Sequence, residues 1–315
     1  MSSTDAQTPI QLNQSIRSMF VLYGSVRSTP LAQRIDRNLL DLPLASGTIA
    51  NHHLSNARAC ARRFGLKNFE MRVLTDTESY SMDQWVEADS SQAADESVRC
   101  VIQQDASPIR GVAGILADAT KDMADDDYII VTSGAQVFLE PLDDLVYAMA
   151  KKNADVSFVS SKDGAPVGLW LIRCGVLRSV NSVGYVDLKE QALDEWKHTQ
   201  KVCVVERPRA YAHPARSLVE YLGAIRADVV GIKSGSTIDE DPYREDWEST
   251  FSIVEPNARV NDGALLHDSI ALNNASVGKD AVIVRSVICP GAVVAPGARV
   301  HDMVVTGVIK KERSR

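Results

Sequence analysis

Apolar residues near the C-terminal end of the chain recur at an interval that fits neither a helix nor a simple strand. Residues 253–303 divide into three consecutive lines of 17 residues, IVEPNARVNDGALLHDS, IALNNASVGKDAVIVRS and VICPGAVVAPGARVHDM. Along these lines the apolar positions follow one another at steps of 6, 6 and 5. They are Val254, Val260, Leu266, Ala271, Val277, Ile283, Ile288, Val294 and Val300. Such a period matches neither the 3.6-residue repeat of a helix nor the alternation of a strand.

This interval is typical of a triangular coil with short strands on three faces. A small residue often follows four places after the aliphatic one, where it lets the chain turn a corner: Ala258, Ala264, Ala275, Ala281, Ala292 and Ala298. One such coil cannot bury its apolar face alone, so successive coils must stack. The pattern resembles the hexapeptide-repeat left-handed β-helix, with about three coils.

The chain in front of this repeat alternates strand-like and helix-like stretches. Strands are predicted over residues 19–23, 71–74, 128–132, 156–160, 168–173 and 202–205. Helices are predicted over residues 49–64, 112–123, 142–153, 188–197 and 215–225. Strands and helices in alternation predict a mostly parallel α/β sheet with helices on both faces. Ligands of such a sheet bind at the carboxyl ends of its strands.

These patterns predict a division of the chain into two domains, a linker and two tails. The α/β domain is expected over residues 16–232 and the β-helix over residues 251–309. Residues 233–250 are polar and rich in turn-forming residues, so they are interpreted as the linker. Residues 1–15 and the basic residues 310–315 are expected to be tails without regular structure.

Composition narrows the classes of protein. A length of 315 residues suits about two domains, and a net charge of −7 does not favour nucleic acid or an anionic membrane as a partner. The first residues are polar, and no apolar run approaches the ~20 residues of a membrane-spanning helix. The five cysteines are scattered without a CxxC pair, so reduced thiols, mostly in the core, are expected rather than disulfides or a zinc site. A cytoplasmic location is predicted.

Five stretches occur in an order that carries a second resemblance. They are VLYGSVRSTPLAQRIDRNLLDL at residues 21–42, PIRGVAGIL at 108–116, YIIVTSGA at 128–135, VGLWLIRCGVL at 167–177 and PARSLVEYLGAI at 214–225. Together with the C-terminal repeat they resemble the sugar-1-phosphate nucleotidyltransferases, the NDP-sugar pyrophosphorylases, and in particular the mannose-1-phosphate guanylyltransferase-like branch. The resemblance implies a Rossmann-like nucleotide-diphospho-sugar transferase domain followed by a short left-handed parallel β-helix.

The resemblance also implies a chemistry and a set of binding residues. In this family the phosphate of a sugar 1-phosphate attacks the α-phosphorus of a nucleoside triphosphate and expels pyrophosphate, so catalysis consists largely of positioning and charge neutralisation. The family's nucleotide-binding positions fall on Gly24, Ser25, Arg27, Arg37, Gly111, Val112, Ala113 and Gly114. Its sugar-pocket glycine falls on Gly168.

The chain departs from the family pattern where the family holds its metal ion. The loop has one glycine, because Ser25 and Val26 stand where two others are usual. The first metal-binding carboxylate of the family falls on Ala135, or on Gly134 if the alignment shifts by one residue. The second falls on Pro214 or His213, and Mg²⁺ prefers oxygen ligands. We therefore assign no catalytic residue, no metal ligand and no cofactor from the sequence; an active enzyme would need Mg²⁺.

Two functions of different classes remain open. The first is a catalytically impaired nucleotidyltransferase-like subunit that binds a nucleotide or sugar nucleotide and has a regulatory or structural role. The second is an active sugar-1-phosphate nucleotidyltransferase. In either case the β-helix predicts a homo-oligomer or a complex with an active paralogue.

Glycosyl or acyl transfer is a remote third hypothesis for the function. It depends on the acidic run at residues 125–127, interpreted here as a solvated turn, and on His267 and His301, interpreted as solvated corner residues. The acidic run precedes a predicted strand and so lies at the wrong end of the sheet for a ligand.

Overall fold

A computed structural model describes residues 16–23, 29–75, 98–105, 109–161, 166–234 and 250–310. The chain forms two compact units. The sheet unit comprises residues 1–27 and 53–212, and the coil unit comprises residues 28–52 and 213–315. The predicted tails, apart from residue 310, and linker residues 235–249 lie outside the described residues. The predicted domain boundaries stay predictions.

In its described residues, the sheet unit is built on a mixed sheet of seven strands. Its strands are β1 (Ile16–Leu22), β4 (Phe69–Thr75), β5 (Val98–Gln104), β6 (Tyr128–Ser133), β8 (Val156–Ser161), β9 (Pro166–Arg173) and β10 (Val202–Arg207). Among the described residues, three further strands that precede β10 in the chain lie outside this sheet. They are β2 (Pro43–Leu44) and β3 (Gly47–Thr48), which form a short hairpin in the coil unit, and β7 (Gln136–Phe138), which follows β6 in the chain. The order is β10-β8-β9-β6-β1-β4-β5. Strand β9 runs antiparallel to β6 and β8, and the other pairs are parallel.

This strand order contains a switch point. From β1 the chain adds β4 and β5 on one side, and it then returns to place β6 on the other side of β1. In open α/β sheets the connections diverge at such a point, which leaves a crevice at the carboxyl ends of the two strands. The candidate binding region of the sheet unit is therefore the edge where β1 and β6 end.

Helices of the sheet unit cover an apolar sheet. They are α2 (Ile49–Phe64, whose first four residues group with the coil unit), α3 (Gly111–Ala119), α4 (Leu142–Ala150), α5 (Cys174–Leu177) and α6 (Leu193–Thr199, entered through the wide helical turn Leu188–Ala192). Residues 19–21 of β1 are buried without alternation, as expected for a strand covered on both faces. On one face Phe20, Trp170 and Trp196 belong to a single core cluster. Cys60, Cys174 and Cys289 are buried, and all five thiols are free.

In its described residues, the coil unit combines helices α1 (Pro30–Ile35) and α7 (Leu218–Ser234) with a parallel β-helix. Helix α1 is followed by a short 3-10 turn (Leu39–Asp41). The start of α7 is set by a capping box, because Ser217 and Glu220 exchange side-chain and backbone hydrogen bonds. This cap explains why the helix predicted from residue 215 begins at Leu218.

Among the described residues no helix is long and apolar enough to cross a membrane.

The β-helix consists of three stacks of short parallel strands. The strand β11 (Ala212–Pro214) precedes them. The stacks are β12 (Ser252–Val254), β15 (Ser269–Ala271), β18 (Val287–Ile288) and β21 (Val304–Val305); β13 (Arg259–Val260), β16 (Ser276–Val277), β19 (Val293–Val294) and β22 (Val308–Ile309); and β14 (Leu265–His267), β17 (Val282–Val284) and β20 (Arg299–His301). Three full coils and part of a fourth are present. The predicted fold class, a Rossmann-like α/β domain followed by a short left-handed parallel β-helix, is confirmed.

The register of the stacks follows the repeat predicted from the sequence. Residues 17 apart pair with one another, so that Val254, Ala271 and Ile288 stack on one face. The predicted interior positions of the second and third coils are buried. In the first coil Val254 is 47% exposed, because among the described residues this coil has a neighbouring coil on one side only.

One face of the β-helix is also covered from outside. Ile270, Val287 and Val304 point away from the interior of the coil, yet they are buried. Helix α1 lies against the strand Val304–Val305 on this face. The coil is thereby integrated with residues that lie more than 200 positions earlier in the chain.

Each corner of the β-helix has a residue in the left-handed conformation. These residues have φ between 44° and 74° and repeat every 17 positions: Asn257, Asn274 and Gly291; Gly263, Asp280 and Gly297; and Asp268, Arg285 and Asp302. At the first two corners each is followed directly by one of the alanines predicted to turn the corner. Gly, Asn and Asp adopt this conformation at lower cost than other residues, which accounts for eight of the nine.

Candidate functional site

The carboxyl ends of three neighbouring strands are held together by backbone hydrogen bonds. The N–H of Tyr23 donates to the carbonyl of Leu74 at 2.8 Å, and the N–H of Gly134 donates to the carbonyl of Leu22 at 2.8 Å. Parallel pairing thus continues one residue beyond β1 and β6, at the switch point of the sheet. The predicted nucleotide-binding residues Gly24, Ser25 and Arg27 follow Tyr23 and lie outside the described residues.

The turn after β6 occupies the place where the family resemblance puts a metal-binding carboxylate. It is formed by Ser133, Gly134, Ala135 and Gln136, and the N–H of Ala135 donates to Oγ of Ser133 at 3.3 Å. The Ala135 side chain is a buried methyl group, which cannot coordinate a cation. Gly134, the alternative alignment, has no side chain.

Behind this turn lies a buried histidine that the sequence reading did not identify. His53 of helix α2 is 1% exposed, and its Nε2 lies 3.4 Å from the carbonyl oxygen of Gly134. Its ring meets the ring of Phe138 edge-on, with centroids 6.2 Å apart. The signal was present in the sequence, because His53 lies four residues before Ala57 on the apolar face of the predicted helix. The contact places His53 as a support for the turn.

The predicted sugar-pocket glycine lies at the same edge of the sheet. Gly168 is near the start of β9, which runs antiparallel, so its amino end meets the carboxyl end of β6. Its φ is +75°, and a Cβ added there would lie 3.0 Å from Oε1 of Gln136. The position therefore requires glycine both for its backbone conformation and for its close approach to Gln136.

The predicted base-contacting segment is already engaged by another part of the sheet unit. The N–H of Ala113 donates to the carbonyl of Val186 at 3.1 Å, and the N–H of Val186 donates to the carbonyl of Arg110 at 2.9 Å. A Cβ added at Gly111 would lie 2.5 Å from the Val186 oxygen. Gly111, Ala113 and Gly114 are buried and Val112 is half-buried. A ligand could take the Ala113 N–H only by displacing Val186.

Arg110 anchors residues 181–186, the segment that covers the start of helix α3. The side chain is buried; its Nη1 donates to the carbonyls of Asn181 at 2.8 Å and Gly184 at 3.2 Å, and its Nε donates to Asp118 at 2.9 Å. Burial acts to raise the pKa of Asp118, but the hydrogen bonds from Arg110 and Lys121 outweigh it, so this pKa lies below its ordinary value. The sequence reading did not single out Arg110, because its partners lie up to 74 residues away.

In the coil unit, the predicted phosphate-binding cation has a carboxylate partner. Nη1 of Arg37 lies 2.9 Å and 2.7 Å from the two carboxylate oxygens of Glu255. The second position predicted for a metal ligand lies in the same unit and is also occupied by residues unsuited to Mg²⁺. Pro214 has no ligand atom on its side chain, and the neighbouring His213 makes a 2.9 Å hydrogen bond through Nδ1 to the carbonyl of Pro214.

The three aspartates of the acidic run at residues 125–127 form ion pairs with arginines. Asp125, Asp126 and Asp127 lie before β6 and pair with arginines: Arg178 at 3.1 Å, Arg173 at 3.4 Å and Arg17 at 2.9 Å, respectively. The interpretation of the acidic run as a solvated turn was wrong for Asp127. This residue is buried, and its carboxylate also accepts a hydrogen bond from the N–H of Ala124. Within the described parts of the chain, no group of three His, Cys, Asp or Glu residues is arranged to hold a metal ion.

The close contact at Gly111 can be tested against a second glycine in the segment that covers it. Gly184 has φ +94° and open space around its Cα, whereas Gly111 has φ +69° and the Val186 carbonyl in contact. We expect Gly184→Ala to lower the free energy of unfolding by about 1–2 kcal/mol, from backbone strain alone. Gly111→Ala should cost roughly 1–3 kcal/mol more, because the methyl group must push Val186 away. Urea unfolding of the two variants measures the difference, and equal costs would contradict the packing described.

Comparisons with known proteins identify the C-terminal repeat. Residues 227–305 match the family model described as GlmU-like, C-terminal hexapeptide. This match confirms the hexapeptide-repeat resemblance derived from the sequence. A comparison with curated proteins finds no match.

Among solved structures, the chain is similar to a protein described as a glucose-1-phosphate thymidylyltransferase from Bacillus anthracis, crystallised in complex with sucrose. The sequences are 13% identical, the TM-score is 0.48, and the similarity covers 67% of this chain and 94% of that one. At this identity and score the similarity carries no information about activity or substrate. The comparisons thus identify residues 227–305 as a GlmU-like hexapeptide repeat.

Proposed function

We propose that this chain is a nucleotidyltransferase-like protein without nucleotidyl transfer activity, which serves as a regulatory or structural subunit. It binds a nucleotide or sugar nucleotide at the carboxyl edge of the sheet and assembles through its β-helix. The observation that carries the proposal is Ala135, a buried alanine in the turn after β6, at the switch point of the sheet.

The chemistry of nucleotidyl transfer explains why an alanine at position 135 argues against catalysis. Transfer of a nucleotidyl group brings the charges of a sugar phosphate and a triphosphate together, and bound Mg²⁺ neutralises them. The ion needs oxygen ligands from the protein, usually carboxylates. A methyl group at Ala135 and a proline at Pro214 supply none. Both positions that the resemblance assigns to the metal therefore argue against catalysis.

A retained binding role is supported by the backbone of the same edge. The edge is fixed in place without an ion, because Gly168 packs closely against Gln136 and the carbonyl oxygen of Gly134 lies 3.4 Å from Nε2 of His53. These features need no metal. They are consistent with recognition of a sugar or nucleotide by hydrogen bonds rather than with phosphoryl chemistry.

One observation favours the alternative of an active Mg²⁺-dependent transferase. Asp105 follows β5 at the carboxyl edge of the sheet, and both of its carboxylate oxygens are shielded from solvent. However, β1 and β4 separate β5 from β6, and three strand spacings amount to roughly 14 Å. A metal held by Asp105 would therefore lie far from the turn that contains Ala135. We regard catalysis through Asp105 as the second candidate.

A pyrophosphate-release assay separates the two candidates. The full-length protein is incubated with Mg²⁺, each nucleoside triphosphate in turn and a panel of sugar 1-phosphates. We expect release at the rate of the protein-free control, because the charges of the two substrates are not neutralised. Sustained turnover in the parent protein that disappears in Asp105→Asn would instead establish the active transferase.

The assembly part of the proposal is supported by apolar side chains outside the coil. Leu265, Val293 and Val308 are 63%, 39% and 66% exposed, and Val293 and Val308 are neighbours in register on one face. We expect a particle of at least twice the 34.3 kDa chain mass in light scattering at micromolar concentration. A 34.3 kDa particle would contradict self-association and leave a complex with a paralogue as the remaining form.

A further inference from the structure

The strand β10 (Val202–Arg207) forms one edge of the sheet in the sheet unit. Among the described residues it pairs with β8 alone, in a parallel register that runs without a shift along all six residues. The strand contains no proline. Edge strands are usually guarded by a bulge, a proline or a row of charges, because their free N–H and C=O groups can pair with another chain. Neither a bulge nor a proline guards β10.

The backbone groups of alternate residues point away from β8. The carbonyl of Lys201 accepts from the N–H of Val156 at 3.2 Å, and the N–H of Lys201 donates to the carboxylate of Asp155 at 2.9 Å. Both groups of Lys201 therefore face β8, and the alternation of a strand turns those of the even-numbered residues towards the free edge. These residues are Val202, Val204 and Glu206. The edge thus presents three N–H donors and three C=O acceptors to a neighbouring strand.

The side chains along this edge do not repel an identical edge. Val204 is 39% exposed, so an apolar side chain lies at the middle of the strand. Lys201 and Glu206 are exposed and carry opposite charges, and the charge of Arg207 is neutralised by Glu140, with Nε 3.3 Å from Oε2. The edge therefore has no net charge, although the chain carries −7. This balance favours a second copy of the chain as the occupant of the edge.

Twofold symmetry limits the register of such a pair. In an antiparallel ladder the symmetry axis passes between one residue and its own copy, so one residue of β10 must face itself. An axis at Val204 would set Lys201 opposite Arg207 of the second copy, and like charges directly opposite each other are destabilising. An axis at Val205 would bring Pro208, which has no N–H, into a hydrogen-bonding position.

The register centred on Cys203 avoids these conflicts. It sets Val202 opposite Val204 of the second copy and Gln200 opposite Glu206, whose carboxylate can accept from the amide. An axis at Val202 would instead bring the end of helix α6 into the ladder. Because the backbone groups of Cys203 point to β8, it meets its own copy in a non-hydrogen-bonded pair, with Cα atoms about 4.5 Å apart. A disulfide spans Cα atoms about 4.4–6.8 Å apart, so the two thiols are within reach of each other.

We propose that β10 is a self-association surface. It pairs antiparallel with β10 of a second copy across a twofold axis at Cys203, and the sheets of the two copies form one continuous sheet. The pairing removes an exposed edge from each copy. This surface belongs to the sheet unit and not to the β-helix, so the inference goes beyond the proposed function and does not rest on it.

Oxidative cross-linking of Cys203 tests the register. The full-length protein is treated with diamide, which takes up the protons and electrons released when two thiols form a disulfide. We expect a covalent dimer on a non-reducing gel that is absent from Cys203→Ser. Cys100→Ser is the matched control, because it removes another half-buried thiol from the opposite edge strand β5, and it should leave the dimer in place. An equal yield in Cys203→Ser would overturn the proposal. No cross-link in the parent would leave the edge to an extended segment of another protein and would overturn it as well.

A proline on the edge tests the pairing itself. The N–H of Val204 points outwards, so Val204→Pro removes a donor from the free edge and no bond to β8. Light scattering should give half the particle mass of the parent, and the cross-linked fraction should fall about tenfold, because proline blocks an edge. Thermal unfolding verifies that the variant is folded; if it is not, Val204→Lys places a charge on the edge and serves for the same comparison. A folded variant with the parental mass would contradict the proposal.

A variant of the β-helix separates this surface from the assembly proposed above. Val308 is 66% exposed on β22, and Val308→Lys places a charge on that face of the β-helix. It should weaken association through the β-helix and leave the Cys203 cross-link at the parental level. Loss of the cross-link in Val308→Lys would show that the thiols meet only in an assembly made by the β-helix, and it would overturn the proposal.

Discussion

Parallel strand pairing is the interaction on which both units of this protein depend. In the sheet unit it brings the carboxyl ends of β1 and β6 side by side, so that Gly134 is bonded to Leu22 at the switch point. In the coil unit it stacks residues that are 17 positions apart, which creates one continuous aliphatic interior. The polar groups discussed above are positioned by this backbone order: the turn with Ala135 by the end of β6, and Glu255 by the first coil.

Much of the fold could be predicted because it depends on local and repeated patterns. Helix α2 was predicted with its observed bounds, since its apolar residues keep a helical spacing over the whole of Ile49–Phe64. The coil was predictable because its narrow interior accepts only aliphatic or small side chains. The left-handed corner residues were not recognised, since the reading assigned the turns to the alanines that follow. Arginine is not a residue type that favours the left-handed conformation, so nothing in the sequence indicated it at Arg285. The side chain of Arg285 forms a bidentate ion pair with Asp302.

The candidate site was predictable in its location and not in its contacts. Alignment of short motifs brought Ala135 and Gly168 to the carboxyl edge of the sheet, where both lie. It could not predict that the Ala113 N–H is taken by Val186, or that Arg37 is paired with Glu255, because these partners are set by tertiary packing over long sequence separations. Two predicted binding groups thus have protein partners, which agrees with the proposed loss of catalysis.

The dependence of nucleotide binding on Mg²⁺ tests the central claim most directly. Calorimetric titration of the full-length protein with nucleoside triphosphates and nucleotide sugars would be carried out once with Mg²⁺ and once with a chelator. The account predicts that any affinity observed is the same in both conditions, because Ala135 and Pro214 supply no ligand for the ion. An affinity that rises tenfold or more with Mg²⁺ would contradict it and would establish a metal site in this chain.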